Sequence, residues 1–157
     1  MRSNVYIAAL HLGSRGVSLV ELVVVITLVG ILAAFAIPRF THLQNDVRSS
    51  EVVALSVKLR GAAAEAHAQY LGSGSTLSSA RLQGRSVQLK NGYPDAGAQG
   101  IRLAIADVSD FIVSSTPTSV TYSKRGAPAG ERCAVTYTAS SSSSVPATLT
   151  DLNTSGC

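Results

Sequence analysis

From residue 22 to residue 37 the only polar side chain is Thr27, and counted from Val17 the apolar tract is 21 residues long, interrupted by Ser18, Glu21 and Thr27. As a helix rising 1.5 Å per residue it spans about 30 Å, the thickness of a bilayer's hydrocarbon core. Val24, Val25, Ile26, Val29 and Ile31 are β-branched and favour strand in water. A lone segment in lipid must satisfy its own backbone hydrogen bonds, so helix wins there. The amino-terminal part of the chain is thus expected to enter a membrane, and the rest of the 157 residues suffices for one domain outside it.

Composition narrows the classes further. Hydrophobic residues make up 46% and charged residues 14%, against about 25% charged in an average soluble protein, which argues against intrinsic disorder. Thirteen Lys and Arg against nine Asp and Glu leave +4, but the bases stand singly or in pairs and there is no Trp, which disfavours nucleic acid as a partner. No G-x-S-x-G, glycine-rich phosphate loop or H-E-x-x-H occurs, so neither catalysis nor a cofactor is expected. His42 and His67 have no nearby Cys and no His partner four residues away, so no metal is expected either. Asp107 and Asp110 read as a solvated helix face rather than a carboxylate pair or calcium contact.

Three readings of the apolar tract differ in how they treat Glu21. A secretory signal has Arg2 and Arg15 as its basic region and Ala34-Phe35-Ala36 as its cleavage site. A plain anchor explains the length but leaves a carboxylate one turn inside the apolar tract, where an acid by default has a partner. The third reading joins the pieces: a basic leader ends in Arg15-Gly16, the chain is cut there, and the freed ammonium of Val17 lies about one helical turn from the carboxylate of Glu21. Each then neutralises the other, within one chain or between neighbours.

The string Arg15-Gly16-Val17-Ser18-Leu19-Val20-Glu21-Leu22-Val23-Val24-Val25-Ile26, with Gly30 and Pro38 further on, resembles the cleavage and assembly motif of type IV prepilins. That resemblance implies cleavage after Gly16 by a membrane prepilin peptidase and N-methylation of Val17. It also implies assembly into a filament in which Glu21 meets the amino terminus of an adjacent subunit. It makes Gly30 and Pro38 candidate helix kinks and implies an inner-membrane precursor, an inner-membrane assembly platform and an extracellular pilus as destination. Two features depart from the pattern: Val17 stands where the family most often has Phe, and residues 5–10 put an apolar patch in the leader.

Beyond Pro38, the residues Phe40, Leu43, Val47, Ser50, Ala54, Val57, Gly61, Ala64, Ala68 and Leu71 recur at alternating three- and four-residue spacings, an amphipathic helical stripe. This stripe reads as a packing face, with close approach of a sheet or a neighbouring helix at Gly61, Ala64 and Ala68, while Glu51 has no evident partner. Gly72 and Gly74 end the helix. Residues 86–90 alternate as a strand before the Asn91-Gly92 and Tyr93-Pro94-Asp95 turn signals. Ile101, Ile105, Val108 and Ile112 predict a short second helix. Residues 120–124, 133–138 and 147–152 predict strands of an antiparallel meander. Residues 140–144, all Ser, read as a flexible exposed loop. Lys124, Arg125 and Arg132 form at most a small basic patch on a solvated edge.

Cys133 and Cys157 are an even pair in a domain exported from the cytoplasm, so a disulfide is expected in preference to a two-thiol metal site. The fold expected is α+β, a long amino-terminal helix packed on a small antiparallel sheet, similar to pilins. Its divisions are a leader over 1–16, an apolar assembly helix over 17–37, an amphipathic continuation over 38–71 and a head over 72–157. Within the head, Asn91-Gly92-Tyr93-Pro94, the stretch from Cys133 through Thr138 and the final Gly156-Cys157 are similar to mannose-sensitive haemagglutinin pilins. The function expected is a structural subunit of a type IV pilus engaged in surface attachment, its main partners being further pilin subunits. The alternatives are a secretion pseudopilin or minor pilin, and a non-polymerising, membrane-anchored extracytoplasmic binding domain.

Overall fold

The computed structural model describes residues 16–157, apart from the side chains of Pro38, Phe40 and Thr41. Arg2, Arg15 and the apolar patch of residues 5–10 lie outside the described residues. The chain divides into two units, one ending at Phe40 and the other running Thr41–Cys157. Helix α1 (Leu19–Gly72, 54 residues) contributes to both.

In the first unit every described large hydrophobic side chain from Val17 to Ile37 is exposed, and the helix is long and apolar enough to cross a membrane. Thr27 is no obstacle, because its hydroxyl donates to the carbonyl of Val24 at 2.8 Å and so carries no unmet polar group into lipid.

The second unit holds two antiparallel sheets against the latter part of α1. The first has order β1-β2-β3, made of β1 (Ser79–Leu82), β2 (Arg85–Lys90) and β3 (Tyr93–Pro94). Both of its hairpins use two-residue turns with positive φ at each position, Gln83-Gly84 (48° and 79°) and Asn91-Gly92 (54° and 81°). Such turns match the twist of paired strands, which is why Asn-Gly is so strong a hairpin signal. Pro94 donates no hydrogen bond and accordingly lies on the outer strand.

The second sheet is the expected meander: β4 (Phe111–Ser115), β5 (Ser119–Lys124), β6 (Ala134–Thr138) and β7 (Thr148–Asn153), neighbours in chain order. Val120 and Tyr122 on β5, with Val135 and Tyr137 on β6, send alternate side chains into a core shared with Val52, Leu55 and Leu59 of α1 and Leu82 and Val87 of the first sheet. The α+β architecture expected from the sequence is the one observed.

Three local expectations fail. The second helix is a single turn, α2 (Ile101–Ala104), after which Ile105 is extended. Asp107 breaks the helical run by accepting the amide N–H of Ser109 at 3.0 Å, and Phe111, Ile112 and Val113 pair as strand with β5. Asp107 and Asp110 therefore share no helix face. The helical stripe does not take the sheets: Leu43, Val47, Ser50, Ala54, Val57, Gly61, Ala64, Ala68 and Leu71 are all exposed, and Val57 keeps 63% of its surface. A second stripe, Val52, Leu55, Leu59 and Ala66, is the buried one. Both obey the helical period, and the sheets pack on the one that carries Leu55 and Leu59 rather than on the one with Ala54, Gly61 and Ala64 over the same turns. Finally, the serine run is pinned at one end, as Ser140 is buried and its hydroxyl lies 2.7 Å from the carbonyls of both Ser142 and Val145.

Candidate functional site

Gly16, Val17 and Ser18 are irregular and exposed, and the helix takes over at Leu19, with the N–H of Leu22 donating to the Ser18 carbonyl at 2.9 Å. Glu21 occupies the first turn of α1, exposed and without an ion pair among the described residues. The first turn presents backbone N–H groups with no partner in the helix, and the helix dipole places partial positive charge there, so a carboxylate is electrostatically suited to that position. A cation brought to the same place meets a carboxylate flanked by Leu19, Val20, Leu22 and Val23, surface that lipid or another protein must cover. The geometry thus combines one charge with a long unpartnered apolar face. Gly30 and Pro38 lie within α1, which is helical through both positions. A Cβ built on Gly30 meets nothing within 4 Å.

In the second unit Cys133 and Cys157 are joined in a disulfide across 24 positions, and both are buried. The carboxyl-terminal segment is also tied to α1: the Arg48 guanidinium donates to the Cys157 carbonyl at 3.1 Å and to Asn45 Oδ1 at 3.2 Å. Backbone bonds from Gly156 N–H to the Arg132 carbonyl and from Ala129 N–H to the Gly156 carbonyl complete the closure.

Lys124 does not join Arg125 and Arg132 in a basic patch. Its ammonium turns inward to Glu51 at 2.7 Å, which gives that acid the partner its own helix lacks. The signal was present in the strand period, since Lys124 follows Val120 and Tyr122 on the core-facing parity, where an isolated charge needs a buried partner. Arg48 carried no comparable signal. Of the two histidines His42 is exposed, whereas His67 stacks on Tyr93 at 4.1 Å with 6° between the planes and hydrogen-bonds the Gly92 carbonyl at 3.1 Å.

Two tyrosine hydroxyls share the core on unequal terms. Tyr137 donates to the Pro94 carbonyl at 2.7 Å, and Tyr122 has no partner among the described residues. Burial pushes the Tyr122 phenol up to about 12 and raises that of Tyr137 as well. At the surface, the hydrogen bonds from Ser109 hold the Asp107 carboxyl below its ordinary value.

Compared with known proteins, the chain is 39% identical over 59 residues to the type IV narrow pilus major component of Thermus thermophilus. The matched stretch is 38% of this chain and 51% of that protein, so the chain spans about half the length of the relative it matches. No family model and no solved structure matches the chain.

Proposed function

We propose that the chain is a structural subunit of a type IV pilus: a precursor with a leader over residues 1–16 that is cleaved after Gly16 and N-methylated on Val17. It then polymerises through the apolar helix of residues 17–37. The observation that carries this reading is the coexistence of Glu21 in the first helical turn with an exposed apolar face running to Ile37. A carboxylate there costs least when an ammonium meets it, and cleavage after Gly16 creates one on the residue a turn away. The likeness to a Thermus pilus component supports the same reading.

In this scheme the inner membrane holds the subunit before assembly, the prepilin peptidase and the assembly platform act on it there, and the filament carries the head outside. Attachment to surfaces is the task assigned to the head, whose motifs are similar to those of mannose-sensitive haemagglutinin pilins. The test is the intact mass and amino-terminal sequence of the chain from sheared surface material and from membranes. A chain beginning at methylated Val17 in the sheared fraction is expected; a start near Ile37 or at Met1 rejects the reading. Glu21→Ala is expected to leave insertion and cleavage intact while reducing filament yield, and an unchanged yield refutes the role given to that carboxylate.

A further inference from the structure

A groove of about 590 Å³ opens between the last turns of α1 in the second unit and the beginning of β7. Its walls are apolar, with Ala64, Leu71 and Leu149 among them, and Tyr93 is held in place beside them by its stack on His67. Tyr137 also lines the groove, and its buried hydroxyl is already engaged with the Pro94 carbonyl. One full charge stands at this groove, the exposed Arg60 guanidinium, which has no ion pair among the described residues. Concave apolar sites of this volume with a few convergent polar groups are the usual form of a small-molecule site. The lone cation sets the sign of the ligand, because a guanidinium pairs in fork geometry with a carboxylate.

We propose that this groove binds a small amphipathic carboxylate, its apolar body against Tyr93, Leu71 and Leu149 and its carboxylate on Arg60. The site uses only residues of the second unit and does not rest on the function proposed above. The probe is 4-(trifluoromethyl)benzoate, titrated by fluorine NMR into the full chain in neutral-lipid nanodiscs, with the matching benzamide as the uncharged control. Saturable binding is expected. Arg60→Gln is expected to weaken the benzoate about tenfold and leave the benzamide unchanged. Ala64→Trp, on an exposed helix position, fills the groove and is expected to abolish binding of both while the denaturant midpoint stays close to that of the parent. The proposal is overturned by benzoate binding no better than to empty nanodiscs, or by an Arg60→Gln variant that binds it equally well. Binding that disappears once the chain is in fibres also overturns it and gives the groove to a neighbouring copy.

Discussion

Lys124 Nζ lies 2.7 Å from Oε2 of Glu51 and 3.9 Å from Oδ2 of Asp110, with the centroid of the Phe111 ring 5.3 Å away. The Lys124 side chain is 10% exposed and that of Glu51 41%, so the partners are unequal. An enclosed ammonium deprived of Glu51 keeps only the longer contact with Asp110 and stays desolvated, while a half-exposed carboxylate deprived of its ammonium regains water. Glu51→Gln is therefore expected to cost about 1 to 2 kcal/mol, and Lys124→Met, which keeps the stem packed, about 0.5 kcal/mol or less. Denaturant midpoints of the two variants in nanodiscs measure the difference, and equal losses would contradict this account.

Tyr122 and Tyr137 are diagonal neighbours across β5 and β6, and opposite results are expected from the same substitution. Tyr137→Phe removes a made hydrogen bond and strands the Pro94 carbonyl, a loss of about 1 kcal/mol. Tyr122→Phe removes a hydroxyl that burial leaves unpaired, so the variant is expected to equal or exceed the parent in stability. Thermal unfolding of both variants side by side tests the contrast.

The same burial sets an alkaline limit. The Tyr122 phenol titrates at about 12 in the fold against 10.0 when free, so its contribution to stability is complete below pH 10. It is lost as pH rises from 10 towards 12, because the unfolded chain releases its proton first. Tyr137, shifted the same way, adds to the loss. Absorbance at the phenolate band and circular dichroism are expected to change together in that window. Appearance of the full phenolate absorbance of all five tyrosines near pH 10 with the fold intact would show that these two hydroxyls are accessible.

What the sequence made legible follows from how local its cause was. The apolar tract, the Asn91-Gly92 turn and the meander rest on short-range period and turn chemistry, and the structure carries all three. The buried face of α1 did not, because two apolar stripes share the helical period and only the sheets select between them. The second helix failed for a related reason: spacings of four, three and four suit a helix, yet the Asp107 turn and the pairing of Phe111, Ile112 and Val113 with β5 outweigh them. Arg48 at the Cys157 carbonyl joins positions 109 apart, a relation no local pattern encodes.

Cys133 and Cys157 enclose the whole of β6 and β7. Closing a loop of 24 residues is worth about 3 kcal/mol in the chain-entropy model. Replacing both with Ala is expected to lower the denaturant midpoint by that order and to loosen the contact of Arg48 with the terminal residue. Hydrogen exchange should then rise in β7 and at Gly156 before it rises in β5. Uniform protection in the double-alanine variant would mean that strand pairing alone holds this edge.

The exposed stripe on α1 separates folding from assembly at a single position. Gly61 is exposed, its φ lies outside the left-handed region, and an added Cβ meets nothing within 4 Å. Gly61→Ala is therefore expected to stabilise the unassembled chain by up to about 1 kcal/mol, the gain in helix propensity. Gly61→Leu should likewise leave the denaturant midpoint close to that of the parent. If subunits pack along this stripe, the larger side chain holds neighbouring helices apart, and the fibre yield of Gly61→Leu falls although its fold does not. Equal yields from parent and variant would show that the stripe faces solvent in the polymer and that the apolar half of α1 alone carries assembly.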